Sequence, residues 1–200
     1  MKRLAILFAL ITGASGAAFA GSPGPGTAAV KAANQKISGL LAQKVTAGSK
    51  DEKDLAGRVT GSVRDLLDID ELGKRALADQ WSKITPAQQT EYLTTLRALI
   101  EDNYIKGLRS NLEYTVDYTG ESIEAGNVVV VTQINTKRHN RPYKIEVDYV
   151  LKKEGDKLKA WDVKTDGVGL VENYKEQFNK IVEKDGFAGL ISKMKKKLQG

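Results

Sequence analysis

Cysteine is absent from this chain of 200 residues, and histidine occurs once, at His139. The lack of cysteine excludes a disulfide framework, a cysteine-based zinc site, a thiol nucleophile and an acylated lipoprotein anchor. One histidine cannot form a multi-histidine metal site or a two-histidine acid–base pair. His139 also lies in a polar turn without neighbouring ligand residues. We therefore expect neither a metal nor a cofactor.

Sequence motifs for nucleotide binding and for serine hydrolysis are also missing. No G-x-x-x-x-G-K-[ST] or G-x-S-x-G run occurs. The glycine pair Gly167 and Gly169 is not a dinucleotide fingerprint, because Glu172 stands where the third glycine is needed. The net charge gives little evidence for a nucleic-acid partner, because 31 Lys and Arg against 25 Asp and Glu leave a net charge of only +6. We expect no nucleic-acid partner, and the 41% hydrophobic content is that of an ordinary globular protein.

The first twenty residues have the layout of a secretory signal peptide. Lys2 and Arg3 precede an apolar run over residues 4–11, and small residues follow up to the A-x-A site that ends at Ala20. The apolar run is too short to be retained as a membrane-spanning helix. We expect cleavage after Ala20 and export to the periplasm. Residues 21–26 then form a flexible leader, and residues 27–200 form a single domain.

Apolar residues recur at helical spacing on both sides of a central segment with a period of two. The strongest helix start is at Thr85, where Pro86 and Gln88 complete a capping box. Asp68 and Asp70 invite an acid–base interpretation, but they also suit the cap of a short helix. The pattern predicts about six helices, over residues 27–45, 51–63, 70–80, 85–108, 169–184 and 187–198.

The central segment alternates between apolar and polar residues, which is typical of half-buried strands. Alternation is strict after Pro142, where tyrosine and aliphatic residues share one face and charged residues the other. Four strands with short turns, over 113–119, 127–137, 142–152 and 157–165, predict an antiparallel meander. The order of elements predicts an α+β fold in which a curved four-stranded sheet packs against the helices. We expect the curved sheet and its helices to form a cone. The interior of the cone is either packed solid or open as an apolar pocket.

Two basic segments stand out from the rest of the chain. Residues 137–141 form a hairpin turn with three fixed positive charges, and Lys193 and residues 195–197 lie near the end of the last helix. A solvated turn and a favourable interaction with the helix dipole explain them structurally. Alternatively, they dock an acidic partner or make transient contact with an anionic membrane surface.

Several motifs in the right order resemble the MlaC family of periplasmic phospholipid carriers, also called the toluene-tolerance auxiliary family of ABC transport systems. The resemblance covers nearly all of the exported chain. Two departures are Gly169, where the family usually has serine, and Lys175, where it usually has arginine. The matching runs are Ala76-Leu77-Ala78-Asp79-Gln80-Trp81, Thr85-Pro86-Ala87-Gln88-Gln89, Trp161-Asp162-Val163, Asp166-Gly167-Val168-Gly169-Leu170-Val171 and Asn173-Tyr174-Lys175-Glu176-Gln177-Phe178.

The resemblance implies a soluble shuttle without catalytic residues. It would hold the acyl chains of a phospholipid inside the cone and leave the headgroup at the mouth. It would exchange lipid with an inner-membrane ABC transporter complex, which has an MCE-domain subunit, and with an outer-membrane lipoprotein–porin complex. The rivals are a small-molecule enzyme on a similar cone, which needs inward polar groups, and a non-lipid binding or adaptor protein with a solid core.

The apolar faces of the predicted elements supply a candidate lining for such a pocket. These residues follow from the periodicity and not from the family, and some of them are expected to be ordinary core. The candidate lining consists of Leu96, Ile100, Tyr104, Val130, Tyr143, Ile145, Val147, Tyr149, Val168, Leu170, Val171 and Tyr174.

Overall fold

A computed structural model describes residues 24–107, 114–138 and 141–199. The predicted signal peptide, residues 21–23 of the leader, residues 108–113 and His139 lie outside the described residues. The helices are α1 (Pro25–Leu41), α2 (Lys50–Leu66), α3 (Ile69–Leu77), a 3₁₀ helix (Ala78–Lys83), α4 (Pro86–Gly107) and α5 (Leu170–Leu198). The strands are β1 (Tyr114–Glu124), β2 (Asn127–Arg138), β3 (Arg141–Glu154), β4 (Lys157–Thr165) and β5 (Val168–Gly169).

The strands form one antiparallel sheet in the order β1-β2-β3-β4-β5. This confirms the α+β fold with a meander, although the described sheet has five strands where four were predicted. The additional strand β5 is only two residues long and pairs with the end of β4. Strand β1 also continues to Glu124, beyond the predicted end at residue 119. It does so through a register shift between Tyr118 and Gly120, which interrupts the alternation that sequence patterns can follow.

Local side-chain chemistry explains where several helices begin. The capping box at α4 is formed as predicted: the Thr85 hydroxyl accepts the Gln88 N–H at 3.3 Å, and Gln88 Oε1 accepts the Thr85 N–H at 2.9 Å. Asp68 accepts the Glu71 N–H at 2.9 Å and thereby caps α3. Helix α2 is capped by Ser49, whose side chain accepts the Glu52 N–H, and it starts at Lys50, one residue before the predicted position.

The first helix begins within the segment that the sequence predicted as leader. Pro25 stands in its first turn, where a missing N–H is harmless. The free N–H groups of Gly26 and Thr27 donate to the Glu121 carboxylate at 3.2 and 2.7 Å. A Cβ at Gly26 would lie 2.5 Å from Val128 Cγ1, so glycine lets the helix approach the sheet closely. Helix α1 is therefore anchored to β1 and β2 at its first turn.

Two backbone irregularities divide the predicted helices differently from the sequence pattern. The two closing helices run on as α5, with a kink at Gly186 (φ 69°). The predicted helix over 70–80 ends at Leu77, because Ala78 has a φ of 46° and the chain continues as the 3₁₀ helix. A positive φ is unfavourable for alanine, whereas glycine adopts it readily.

The helices and one face of the sheet share a single hydrophobic core, to which α1, α2, α3, α4 and α5 all contribute. Side chains on β3 alternate between buried Ile145 and Val147 and exposed Lys144 and Glu146. In the described ranges, no helix is both long and apolar enough to cross a membrane.

Candidate functional site

The inner face of the sheet is a continuous apolar surface that crosses the two central strands. Antiparallel register places Ile145 opposite Ile134 and Tyr149 opposite Val130. Residues that face each other across two strands lie on the same side of a sheet. The hydroxyl of Thr132 lies on this face as well, but it donates to the backbone carbonyl of Val147 at 2.7 Å. The surface therefore offers contact to apolar groups and few polar atoms.

Most of the candidate lining meets in this core. Nine of the twelve residues belong to the buried cluster, and Tyr143 and Val171 are partly buried against it. Val168 is the exception to the expected burial. Its side chain is 54% exposed on the short strand β5 and lies outside the cluster. The turn at Asp166 and Gly167, both with positive φ, precedes Val168, so strand alternation could not predict its direction. The nine clustered residues are Leu96, Ile100, Tyr104, Val130, Ile145, Val147, Tyr149, Leu170 and Tyr174.

A group of phenol side chains lies beside α1 within this otherwise apolar interior. The Asn34 side-chain amide donates to the hydroxyl of Tyr118 at 3.3 Å and to that of Tyr149 at 3.4 Å. The hydroxyl of Tyr114 is buried and has no hydrogen-bond partner among the described residues. We call Asn34, Tyr104, Tyr114, Tyr118 and Tyr149 the tyrosine cluster. It joins residues from α1, α4, β1 and β3.

Burial keeps the phenols of the tyrosine cluster neutral. Burial raises the pKa of Tyr149 to about 12, against the opposing effect of the hydrogen bond from Asn34. Burial and the neighbouring phenols of Tyr149 and Tyr114 raise the pKa of Tyr104 well above its ordinary value. Burial likewise raises the pKa of Tyr114 and of Tyr118. At neutral pH these groups are therefore uncharged hydrogen-bond donors and acceptors.

Aromatic packing fills the other half of the interior, between α3, α4 and α5. Tyr92 meets Phe178 edge to face with ring centroids 5.8 Å apart, and Phe178 stacks on Tyr174 at 5.1 Å. The Tyr92 hydroxyl donates to the backbone carbonyl of Gly73 at 3.1 Å. A Cβ at Gly73 would lie 2.7 Å from a methyl group of Leu93, so α3 and α4 pack closely here. Tyr92 therefore stabilises the helix packing.

The two charged residues that are buried in the described chain, Glu101 and Asp162, have structural partners, whereas the half-buried Asp148 has one carboxylate oxygen, Oδ1, that is buried without a hydrogen-bond partner. Glu101 binds the Arg64 guanidinium with both carboxylate oxygens, at 2.5 and 2.8 Å. Asp162 accepts the backbone N–H groups of Val163 and Val171 at 2.9 and 3.1 Å. No described lysine or arginine is buried, and no described group of three or more His, Asp or Glu side chains is arranged to hold a metal. The acid–base interpretation of Asp68 and Asp70 also finds no support, since Asp68 caps α3 and Asp70 pairs with Arg97 at 2.5 Å.

The candidate lining is largely buried. Each of the nine clustered lining residues is at most 8% exposed. A surface groove of about 620 Å³ lies elsewhere, between the start of α4 and the end of α5. It is lined by Glu91, Phe187, Ile191 and Lys195 among others, and it includes no residue of the candidate lining.

Part of the lysine-rich end of α5 is neutralised by ion pairs. Lys195 pairs with Glu91 at 2.6 Å, and Lys193 pairs with Asp185 at 2.5 Å. Exposed pairs of this kind contribute little to stability, but they reduce the net positive charge of the helix end. The charge available for contact with an anionic surface is thus smaller than the sequence suggests.

Sequence reasoning missed three members of the tyrosine cluster: Asn34, Tyr114 and Tyr118. The signal for the two tyrosines was present, because they share one face of the first predicted strand with Val116 and alternate with Thr115 and Asp117. Asn34 carried no such signal. It lies on the buried face of α1, and its partners are 84 and 115 residues away in sequence.

The fold and the site define an α+β protein whose antiparallel meander and helices enclose an apolar interior with neutral phenol groups. The chain belongs to the MlaC family, because the model of that family, described as "MlaC protein", matches residues 31–196. The resemblance seen in the sequence motifs is thereby confirmed. Comparison with curated proteins gives no match.

A solved structure with the same fold is the phospholipid-binding protein from Ralstonia solanacearum in complex with a phospholipid. The TM-score is 0.70 and the sequence identity 23%. The match covers 88% of this chain and 98% of the other. The similarity therefore extends over helices and sheet together.

Proposed function

We propose that this protein binds a phospholipid in its interior and carries it through the periplasm between an inner-membrane ABC transporter complex and an outer-membrane complex. The observation that carries the proposal is the continuous apolar face of the sheet, which shares one buried core with the helices, in a member of the MlaC family. The phospholipid-bound relative of the same fold supports it. The periplasmic location rests on the signal-peptide layout of residues 1–20.

The energetics of acyl chains explain why a carrier needs such an interior. Two chains of roughly 16 carbons gain about 25 kcal/mol when they leave water, at about 0.8 kcal/mol for each methylene. Apolar walls must offset nearly all of this, since otherwise lipid would not leave a membrane. They must not exceed it greatly, since otherwise lipid would not be released. Tyrosine and aliphatic side chains without a buried cation suit both requirements.

Lipid binding requires the lining residues to become accessible to the acyl chains, because all nine clustered lining residues are buried. The helical half is held by the aromatic packing of Tyr92, Tyr174 and Phe178. Helix α1, in contrast, is attached to the sheet by the Glu121 contacts at one end and the Asn34 bonds in its middle. We expect acyl chains to enter between the sheet and the helices, where the buried apolar residues of both meet.

The burial of the candidate lining also favours a second candidate, a non-lipid adaptor with a solid core. An enzyme is less well supported, because the buried residues Glu101 and Asp162 are engaged in structural bonds, and Asp148, which has an unpartnered buried oxygen, lies on the face of β3 opposite to Val147 and Tyr149. The proposed function is that of a transport protein without catalytic activity.

Native mass spectrometry distinguishes the carrier from the adaptor. The exported protein is purified from a periplasm without detergent and measured intact, and then again after denaturation. A phospholipid released in a one-to-one ratio supports the carrier, and a polypeptide that begins at Gly21 supports the predicted cleavage. A bare protein mass that does not change after incubation with phospholipid vesicles would contradict the carrier and favour the adaptor.

A further inference from the structure

The interior contains more hydrogen-bonding capacity than its apolar walls require. Tyr114 is 5% exposed, and its hydroxyl has no partner within the described chain. A buried hydroxyl without a partner destabilises a fold, so such groups are uncommon and call for an explanation. The Tyr114 hydroxyl lies close enough to the phenols of Tyr149 and Tyr118 to interact with them electrostatically.

The Asn34 amide gives the neighbouring phenols a defined role. Its two N–H bonds end on the oxygens of Tyr118 and Tyr149. A phenol oxygen that accepts a hydrogen bond still has its own proton to donate. Asn34 thus orients two O–H donors in the interior, and Tyr114 adds a third donor nearby.

The charge of the surroundings indicates what these donors can bind. A phosphate group buried here would need a cation, because an ionised group loses its hydration on burial. No lysine or arginine of the described chain is buried. The donors therefore fit an uncharged oxygen acceptor. On a phospholipid, the uncharged oxygen acceptors nearest to the acyl chains are the carbonyls of the two fatty-acid esters.

We propose that Tyr114, Tyr118 and Tyr149, oriented by Asn34, form a polar subsite that binds the ester carbonyl oxygens of the lipid. This inference rests on the proposed function, because it assumes that a lipid enters the interior. It deepens that function in one respect. The subsite recognises a part that all diacyl glycerolipids share, so it holds the lipid in register without selecting a headgroup.

The subsite predicts that the protein distinguishes ester-linked from ether-linked chains. The exported protein is incubated with an excess of vesicles that contain equal amounts of diester and diether phosphatidylglycerol of the same chain length. The protein is then isolated again, and the two bound lipids are quantified by native mass spectrometry. Because an ether lacks the carbonyl, wild type should take up the diester in roughly fivefold excess, the value of one neutral hydrogen bond.

Tyrosine-to-phenylalanine variants then assign the preference to the subsite. Tyr114→Phe should lower the ratio, and Tyr118→Phe, an independent variant on the partly exposed strand β1, should lower it as well. The matched control is Tyr92→Phe, which also removes a buried phenol oxygen but lies in the helical packing. It should keep the preference of wild type. The thermal unfolding temperature of Tyr114→Phe without vesicles should not fall, since its hydroxyl has no partner to lose.

Each outcome decides between the subsite and the wider function. Equal uptake of both lipids by wild type, or an unchanged preference in Tyr114→Phe and Tyr118→Phe, would overturn the subsite and leave lipid carriage intact. Uptake of neither lipid by wild type would overturn the proposed function itself. A preference that is lost in Tyr92→Phe as strongly as in Tyr114→Phe would show that general packing, and not the subsite, sets the ratio.

Discussion

The carboxylate of Asp162 occupies the space that a side chain at Gly169 would need. A Cβ at Gly169 would lie 2.5 Å from Asp162 Oδ2. Gly169 is the residue before α5 and offers no side-chain cap, and Asp162 instead accepts the Val171 N–H from the neighbouring strand at 3.1 Å. The first turn of α5 is thus capped by a carboxylate that belongs to another element.

Loss of this cap should destabilise the protein. Asp162→Ala leaves the Val171 N–H without its acceptor, and we expect the free energy of unfolding to fall by about 1–2 kcal/mol. Gly169→Ser should also destabilise, because its side chain would collide with Asp162. Denaturant unfolding measures both changes.

The two substitutions should not be additive. In the Asp162→Ala background, Gly169→Ser gains space and supplies a capping hydroxyl, so the double variant should be more stable than Asp162→Ala alone. Simple additivity of the two losses would show that Asp162 and Gly169 do not interact as described.

The backbone of Ala78 provides a test of local strain. Its φ of 46° is unfavourable for a residue with a Cβ. Ala78→Gly should therefore raise the free energy of unfolding by about 1 kcal/mol, or at least not lower it. Ala98→Gly, inside the regular helix α4, is the matched control and should lower stability by about 1 kcal/mol. Equal losses in both variants would contradict the strained conformation at Ala78.

Lipid loading should depend on which face of β3 carries a charge. Val147 is buried on the inner face, whereas the adjacent Glu146 is exposed on the outer face. Val147→Arg should abolish the bound phospholipid, because a charge would line the apolar interior. Glu146→Arg places the same side chain one residue away and should retain the lipid. Mass spectrometry of the bound lipid and circular dichroism of each variant provide the measurements.

A folded Val147→Arg protein with a full complement of phospholipid would contradict the assignment of that face. Since an arginine in the core also lowers stability, Val147→Thr serves as a second variant. Its hydroxyl lowers the apolar character of the wall with little change in volume, so it should reduce the bound fraction without unfolding the protein.

The contact between Glu121 and α1 should make stability depend on pH in the acid range. Burial raises the pKa of the Glu121 carboxyl, but hydrogen bonds from the Thr27 and Gly26 N–H groups outweigh it and leave the pKa below the ordinary 4.5. A lowered pKa means that the carboxylate stabilises the fold above about pH 4.5. This contribution is lost as the pH falls through the lowered pKa.

Glu121→Gln tests that linkage, because glutamine still accepts hydrogen bonds but does not titrate in this range. Unfolding curves at several pH values between neutral and acid should show wild type as the more stable protein at neutral pH. The difference should shrink below about pH 4.5. A difference that is constant over the whole range would show that the Glu121 charge is not linked to folding.

The sequence alone determined the features that depend on neighbours along the chain. The Thr85 and Gln88 capping box and the alternation of β3 follow from spacings of two to four residues, and the structure has both. The order of helices and strands and the family motifs could be predicted for the same reason, because both depend on residues that are close together in the chain. The sequence also predicted a break between helices at the position of the kink at Gly186, because glycine adopts a positive φ without steric strain.

Only the tertiary structure decided which polar groups meet in the interior. Asn34 donates a hydrogen bond to Tyr149, 115 residues away in sequence. Asp162 of β4 caps α5, although β5 lies between the two elements in the chain. The exposure of Val168 depends on a turn that rotates the chain out of its alternation. Such contacts follow from how separate elements pack, and hydrophobic periodicity specifies which face of an element is buried but not which residue it meets there.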